Sequence, residues 1–338
     1  MDKGKRVLGA VFWSICLVIL ILDTKTAIAA ASEGIQLCIR VLIPSIFPFL
    51  VICPMVSANT GILSMLLRPL GRLMRLPRGA EHLYVLSLLS GYPVGAANVS
   101  RAVRSGQISR KDGQRLLAFC NNAGPSFLFG IGISLFPNAG YCAMLWLIHI
   151  LSSIAVAVLT PGKREAAACC KQASPPFTAI LPAAISTMAT ICGWVVLFRI
   201  GIAFLDRWIL WIVPENGQIL LRGLLELANG MVSLAGIGSI GQRMILFSML
   251  LGFGGICVWM QTVSVCQGVS MIYYLPGKLT QSALSILLSM AFQLFLPLQY
   301  RYWPNPILLA FCTGICALYP IVMRKIEKRS GNSSLVGV

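Results

Sequence analysis

The stretch LLAFCNNAGPSFLFGIG, residues 116–132, sets Asn121, Asn122, Gly124, Pro125 and Ser126 together between apolar runs. In hydrocarbon an unpaired polar group costs several kcal/mol, so these residues must face protein or water. Gly124-Pro125 interrupts a helix and frees backbone N–H and C=O groups from the i−4 ladder. The start of a half-helix carries partial positive charge and unused N–H donors, which suits an anionic group such as a carboxylate. Asparagine both donates and accepts, so Asn121 and Asn122 suit a mixed polar solute. SGYPVGAA, residues 90–97, offers the same feature: Gly91, Tyr92, Pro93 and Gly95 form a tip, and a half-helix from Ala96 to Arg104 starts near it. MLLGFGGICVWMQT, residues 249–262, repeats the pattern with Gly254, Gly255 and Gln261. The competing reading of each motif is a kinked helix whose polar side chains bond neighbouring helices.

Glu226 and Asn229 stand in GLLELANGM, in a chain with only 10 acidic residues. An ionisable group at depth points to proton relay or to a ligand for a coupling ion. The alternative is a surface pair with Arg222, four residues earlier. Gln242 and Arg243 follow the same logic more weakly, and His149 in MLWLIHILSS reads as an interhelical hydrogen-bonder. No Ser/His/Asp grouping, HExxH or paired carboxylates support an enzyme. The 12 cysteines include no CxxC, and with only His82 and His149 available no zinc spacing arises. No catalytic residue, metal or cofactor is expected.

These residues need elements to hold them. The chain is 57% hydrophobic with 11% charged residues and a mean hydropathy of +0.82, whereas soluble domains carry roughly a quarter charged. Apolar stretches at 7–22, 139–160, 176–198, 279–297 and 304–323 approach the length of a bilayer core. The fold class is therefore an all-α polytopic membrane protein. The net charge of +17 reads as cytoplasmic loops rather than nucleic-acid binding. KGKR, an apolar run from Val7 to Leu22, and TAIAAAS predict an N-terminal anchor over 1–31, with a secretory signal as the alternative. Pro44, Pro48 and Pro54 predict a kinked span over 41–61. Arg68, Arg72, Arg75 and Arg78 predict a surface-lying or solvated basic segment. YVLSLLSGYPVGAANVSRAV (84–103), flanked on both sides by arginines, reads as a re-entrant hairpin, and LLRGLLELANGMVSLAGIGSIG (220–241) as a second one entering from the other side. The predicted plan is about eight transmembrane helices plus two re-entrant hairpins in two inverted repeats. The repeats cover 32–162 and 176–323, with a cytoplasmic linker at 163–175 and a basic cytoplasmic tail at 324–338. Both termini are then cytoplasmic. Broken helices at matching places in inverted repeats point to a solute site at the midplane.

GYPVGA, SGQISRKDGQRLLAFCNNAGPSFLFG and LGFGGICVWMQTVSV, over residues of about 30–325, resemble the sporulation integral membrane proteins of the YlbJ type, within the nucleoside-recognition or Gate domain group. In that family a lysine follows GYPVGA, where this chain has Ala97, and an acidic residue precedes RLL, where it has Gly113-Gln114. The resemblance implies a permease of the outer forespore membrane for a dipicolinate-like dicarboxylate. A nucleoside transporter and a non-transporting scaffold for spore cortex or coat assembly are the alternatives. The partners implied are a small solute and the lipid bilayer, without nucleic acid, and a homo-oligomer is compatible with the sequence.

Overall fold

The computed structural model describes residues 3–58, 61–162 and 176–333, and every regular element among them is helical. The linker at 163–175, with Cys169 and Cys170, lies outside the described residues. Five helical stretches are long and apolar enough to cross a membrane: Thr24–Ser57, Ala139–Leu159, Phe177–Trp208, Ile240–Val265 and Pro306–Lys328. Large apolar side chains such as Trp13, Ile39, Leu197, Ile307 and Phe311 point outward. In water that surface would be a liability; against lipid tails it costs nothing.

The chain opens with α1 (Lys3–Leu22), and Asp23 caps α2 (Thr24–Leu37) through its side chain. TAIAAAS lies inside α2. A wide π-helical turn, Cys38–Leu42, joins α2 to α3 (Ile43–Ala58). The expected separate span at 41–61 is thus the second part of one long helical stretch. Pro44 has no N–H, and the π turn just before it takes up the break in the ladder. Short helices α4 (Gly61–Leu66) and α5 (Arg68–Leu73) follow, the latter carrying Arg68 and Arg72.

Next comes a hairpin, α6 (His82–Ser90) and α7 (Val94–Arg104), turning at Gly91-Tyr92-Pro93. Then a broken helix runs as α8 (Arg110–Leu117), an unwound stretch, and α9 (Pro125–Leu135), followed by the long α10 (Ala139–Leu159). After α11 (Phe177–Trp208) the same order recurs. The second hairpin is α12 (Glu215–Leu225) and α13 (Leu227–Ser233), turning at Glu226. The second broken helix is α14 (Ile240–Phe253) and α15 (Gly255–Val265), interrupted at Gly254, and the long α16 (Tyr274–Gln293) follows. The last helix is α17 (Pro306–Ser333).

Helices in corresponding places pack on each other: α2 and α3 on α11, and α10 on α16. The 32 residues of α11 span about 48 Å at the α-helical rise. At its start, Ala179 and Ile180 share a groove with Arg101 of α7. At its end, Asp206 pairs with Arg222 of α12 at 2.9 Å, and Arg207 with Asp23 at 3.0 Å. The two hairpins therefore enter the bundle from opposite ends. Each is tightly packed: a Cβ on Gly230 of α13 would stand 1.9 Å from the Gly223 Cα of α12.

Candidate functional site

The two hairpin turns meet at a shared pocket. From the first turn come Ser90, Gly91 and Tyr92; from the start of α9, Gly124, Ser126 and Phe127; from the second turn, Glu226 and Leu227; and from α15, Gln261. Leu42 and Ile46 on one side and Ile191 and Val195 of α11 on the other supply apolar walls. Gly91 sits at φ 78, and a Cβ there would lie 3.0 Å from the Gly124 N, so the turn presses on the start of α9 with no side chain between.

Two helix starts at this pocket differ in charge. The first residue of α9 is Pro125, its cap is Gly124, and among the described residues no side chain bonds its free N–H groups. The first turn of α13 is capped by Glu226, whose carboxylate accepts from Ala228 N at 3.1 Å and Asn229 N at 2.8 Å. Glu226 is 4% exposed and makes no surface pair with Arg222, whose guanidinium goes to Asp206 and Gln218. The Asn229 side chain does not line the pocket, and its Nδ2 has no partner among the described residues.

Asn121 and Asn122 point elsewhere than the sequence led us to expect. Both are fully buried, and neither lines the pocket. Asn121 Nδ2 donates to Thr262 Oγ1 at 2.9 Å and to the Tyr274 hydroxyl at 3.1 Å. Asn122 Nδ2 donates to the Phe119 carbonyl at 2.7 Å, and its Oδ1 accepts from Gln281 Nε2 at 3.0 Å. The Ala123 N–H goes to His149 Nε2 at 3.0 Å, which gives His149 the bonding role expected of it. The physical reason is the unwound backbone between α8 and α9, which has its own polar groups to satisfy in a dry interior. Two glycines clamp it: a Cβ on Gly95 would stand 2.4 Å from the Cys120 carbonyl oxygen, and one on Gly277 2.6 Å from that of Ala118.

The remaining expected residues shape the backbone around the pocket. Pro93 caps α7, and the Tyr92 hydroxyl donates to the Leu251 carbonyl, tying the first hairpin to α14. Gly254 and Gly255 take φ of 86 and 84 and carry the break between α14 and α15. Gly255 lies against the Gly223 carbonyl of the second hairpin, and Gln261 Nε2 donates to Cys257 Sγ at 3.4 Å. Arg243 bonds the carbonyls of Leu135 and Ile237, holding the end of α9.

Sequence reasoning missed the polar face of α16. Lys278 is fully buried and donates to Gln281 Oε1 at 2.7 Å, with its ammonium 5.5 Å from the Tyr92 ring centroid. Below it Ser285 donates to Ser152 at 3.1 Å and Ser289 to Ser248 at 2.6 Å. The spacing 278, 281, 285, 289 is helical and was visible, but the apolar window opened at residue 279 and left Lys278 in a loop. Arg115 was missed as well: its guanidinium bonds the carbonyls of Met74, Arg75 and Pro161, fixing the basic loop against α8.

Paired helix breaks, a buried polar centre and an apolar exterior define a helical integral membrane protein. The chain is a relative of one such protein, the sporulation integral membrane protein YlbJ of Bacillus subtilis (strain 168). It is 24% identical to it over 90% of this chain and 86% of that one. The YlbJ-type resemblance read from GYPVGA and FCNNAGP therefore stands. No family model matches the chain, and no solved structure matches it.

Proposed function

We propose that this chain is a sporulation-associated membrane transporter that carries a small, polar, anionic solute through the pocket between the hairpin turns. The observation behind this reading is that two hairpins from opposite ends of the bundle deliver their turns, with the bare start of α9, to one pocket. In a bilayer these become re-entrant hairpins of inverted repeats over 32–162 and 176–323, within a plan of about eight crossings. The α9 start binds the solute's negative group. Ser126 and Gln261 bond its other polar atoms, and Gly91, Tyr92 and Gly124 set the shape. Asn121 and Asn122 hold the unwound stretch in place and act on the solute through it. Glu226, held by the Ala228 and Asn229 amides at the start of α13, forms the opposite wall. A flat dicarboxylate of the dipicolinate kind fits this division, and the tie to spore formation follows the relative's name.

The test is flux into vesicles containing the purified full-length protein, with pyridine-2,6-dicarboxylate, succinate and nucleosides offered separately. Dicarboxylate uptake above empty vesicles is expected. Ser126→Leu and Gln261→Leu should each lower it about tenfold, the equivalent of ~1.4 kcal/mol of lost binding, at unchanged membrane insertion. Uptake of nucleosides alone would transfer the reading to another substrate class. Absence of flux with all three would favour a scaffold.

A further inference from the structure

Lys278 lies fully buried in the first turns of α16, and its ammonium has no acidic partner among the described residues. An ammonium has three protons to donate. Among the described residues it has one hydrogen-bond acceptor, the neutral Gln281 Oε1, and one aromatic face, Tyr92. A buried cation without a counter-charge is expensive to hold. Lysine, unlike arginine, can shed the charge as a neutral amine.

The surroundings offer no compensation. The unwound stretch brings Cys120 within electrostatic reach, and α10 brings His149, whose Nε2 is an acceptor and whose ring is neutral in that role. The first hairpin brings Tyr92, held on the Leu251 carbonyl, and one turn back stands Tyr274, bonded to Asn121. From α8 comes Arg115, committed to backbone carbonyls. The side of α14 packed on α16 presents Ser248. From α17 come Tyr319, bonded to Thr160, and Glu327, paired with Lys111 at 3.1 Å.

Lys278 does not line the pocket, but two short links join it to residues that do. Its ammonium sits over the Tyr92 ring, and Tyr92 lines the pocket. Through Gln281 it reaches Asn122 and the stretch that ends at Gly124, the cap of α9. The pocket already holds one carboxylate, Glu226, with both oxygens engaged at the start of α13. A second negative charge entering it needs a positive one nearby.

We infer that Lys278 is the proton-carrying group of this site, so that solute anion and proton move together. This rests on the transporter reading. In the empty carrier Nζ has shed its proton; as the anion enters, the Nζ lone pair takes a proton from hydronium on the entry side, an O–H bond breaking as the N–H bond forms. As the anion leaves, that N–H bond breaks and the proton passes to a water on the exit side, giving hydronium there. No other co-reactant is involved.

The experiment uses the full-length protein in vesicles with pyridine-2,6-dicarboxylate, comparing uptake with an acid-outside gradient to uptake without one. The wild type should respond severalfold. Lys278→Gln and Lys278→Arg, fixed as neutral and as charged, should show a ratio near one. A merely structural role would slow both conditions by the same factor and leave the ratio intact, which would overturn the inference. Should neither variant carry measurable flux, a pH dye in detergent decides. Solute binding to the wild type with uptake of about one proton per site, lost in the variants, sustains it, and binding without proton uptake overturns it. Wild-type uptake that ignores the gradient removes this inference alone. Absence of wild-type uptake under any gradient removes the transporter reading itself.

Discussion

The N–H of Ala123 emerges from the broken ladder between α8 and α9 and is met by the imidazole of His149 at 3.0 Å, wholly out of solvent. A buried donor left unmet costs about 1–3 kcal/mol. His149→Phe should therefore lower the thermal stability of the detergent-purified protein by an equivalent amount, read as a shift in intrinsic-fluorescence melting. His149→Gln, which keeps an acceptor, should restore most of it. An equal loss in both variants would mean that ring packing dominates over the bond. The same stretch marks the limit of what residue types revealed. NNAGP announced a helix break, because proline and glycine act on the backbone directly. Which way Asn121 and Asn122 point was not legible, since an unwound backbone has no 3.6-residue period to assign a face.

Among the elements, the second hairpin depends on glycine in both arms. A methyl group on Gly230 would overlap the backbone of Gly223 and could be relieved only by parting α12 from α13. Overpacking of this kind costs about 1–3 kcal/mol, and more where only backbone can yield. Gly230→Ala should reduce the yield of folded protein and its melting temperature well beyond Gly238→Ala, where the added methyl meets nothing within 4 Å. Size-exclusion profiles and thermal melts of the two variants would check this. The turns and breaks at Gly91-Tyr92-Pro93, Gly124-Pro125 and Gly254 were all readable because each interrupts an apolar run with residues that cannot continue a helix. The bounds of α16 were not: hydropathy averages over a window, and one lysine at its edge was enough to move the apparent start past Gly277 and Lys278. Likewise 41–61, whose prolines predicted a kink, reads as a separate span, where the structure joins it to α2 in one stretch with Pro48 and Pro54 inside α3.

Across the whole molecule, the ion pair of Lys111 with Glu327 puts the α8 start and the α17 tail at one end. The pairs of Asp23 with Arg207 and Asp206 with Arg222 join α2, α11 and α12 near the far end of α11. Arginine and lysine at 101–115 and 324–328 crowd the first of these ends, and on the positive-inside rule we propose that it is the cytoplasmic one. Single cysteines placed at the exposed positions Ser109 and Lys328, in a background with the native thiols replaced, should react with a membrane-impermeant maleimide only from the cytoplasmic side. Cysteines at Trp211 and Leu298, 72% and 80% exposed, should react only from the opposite side. Labelling of Ser109 and Trp211 from the same side would refute the plan. One consequence follows from the unlike helix starts at the pocket. With the bare amide end of α9 on one wall and the Glu226 carboxylate on another, the cavity is polarised, and its field has a fixed sense along the line between them. If the pocket carries a solute as proposed, one with a negative head and a less negative tail would settle there in a single orientation, and binding would then depend on the shape of its charge as well as its total.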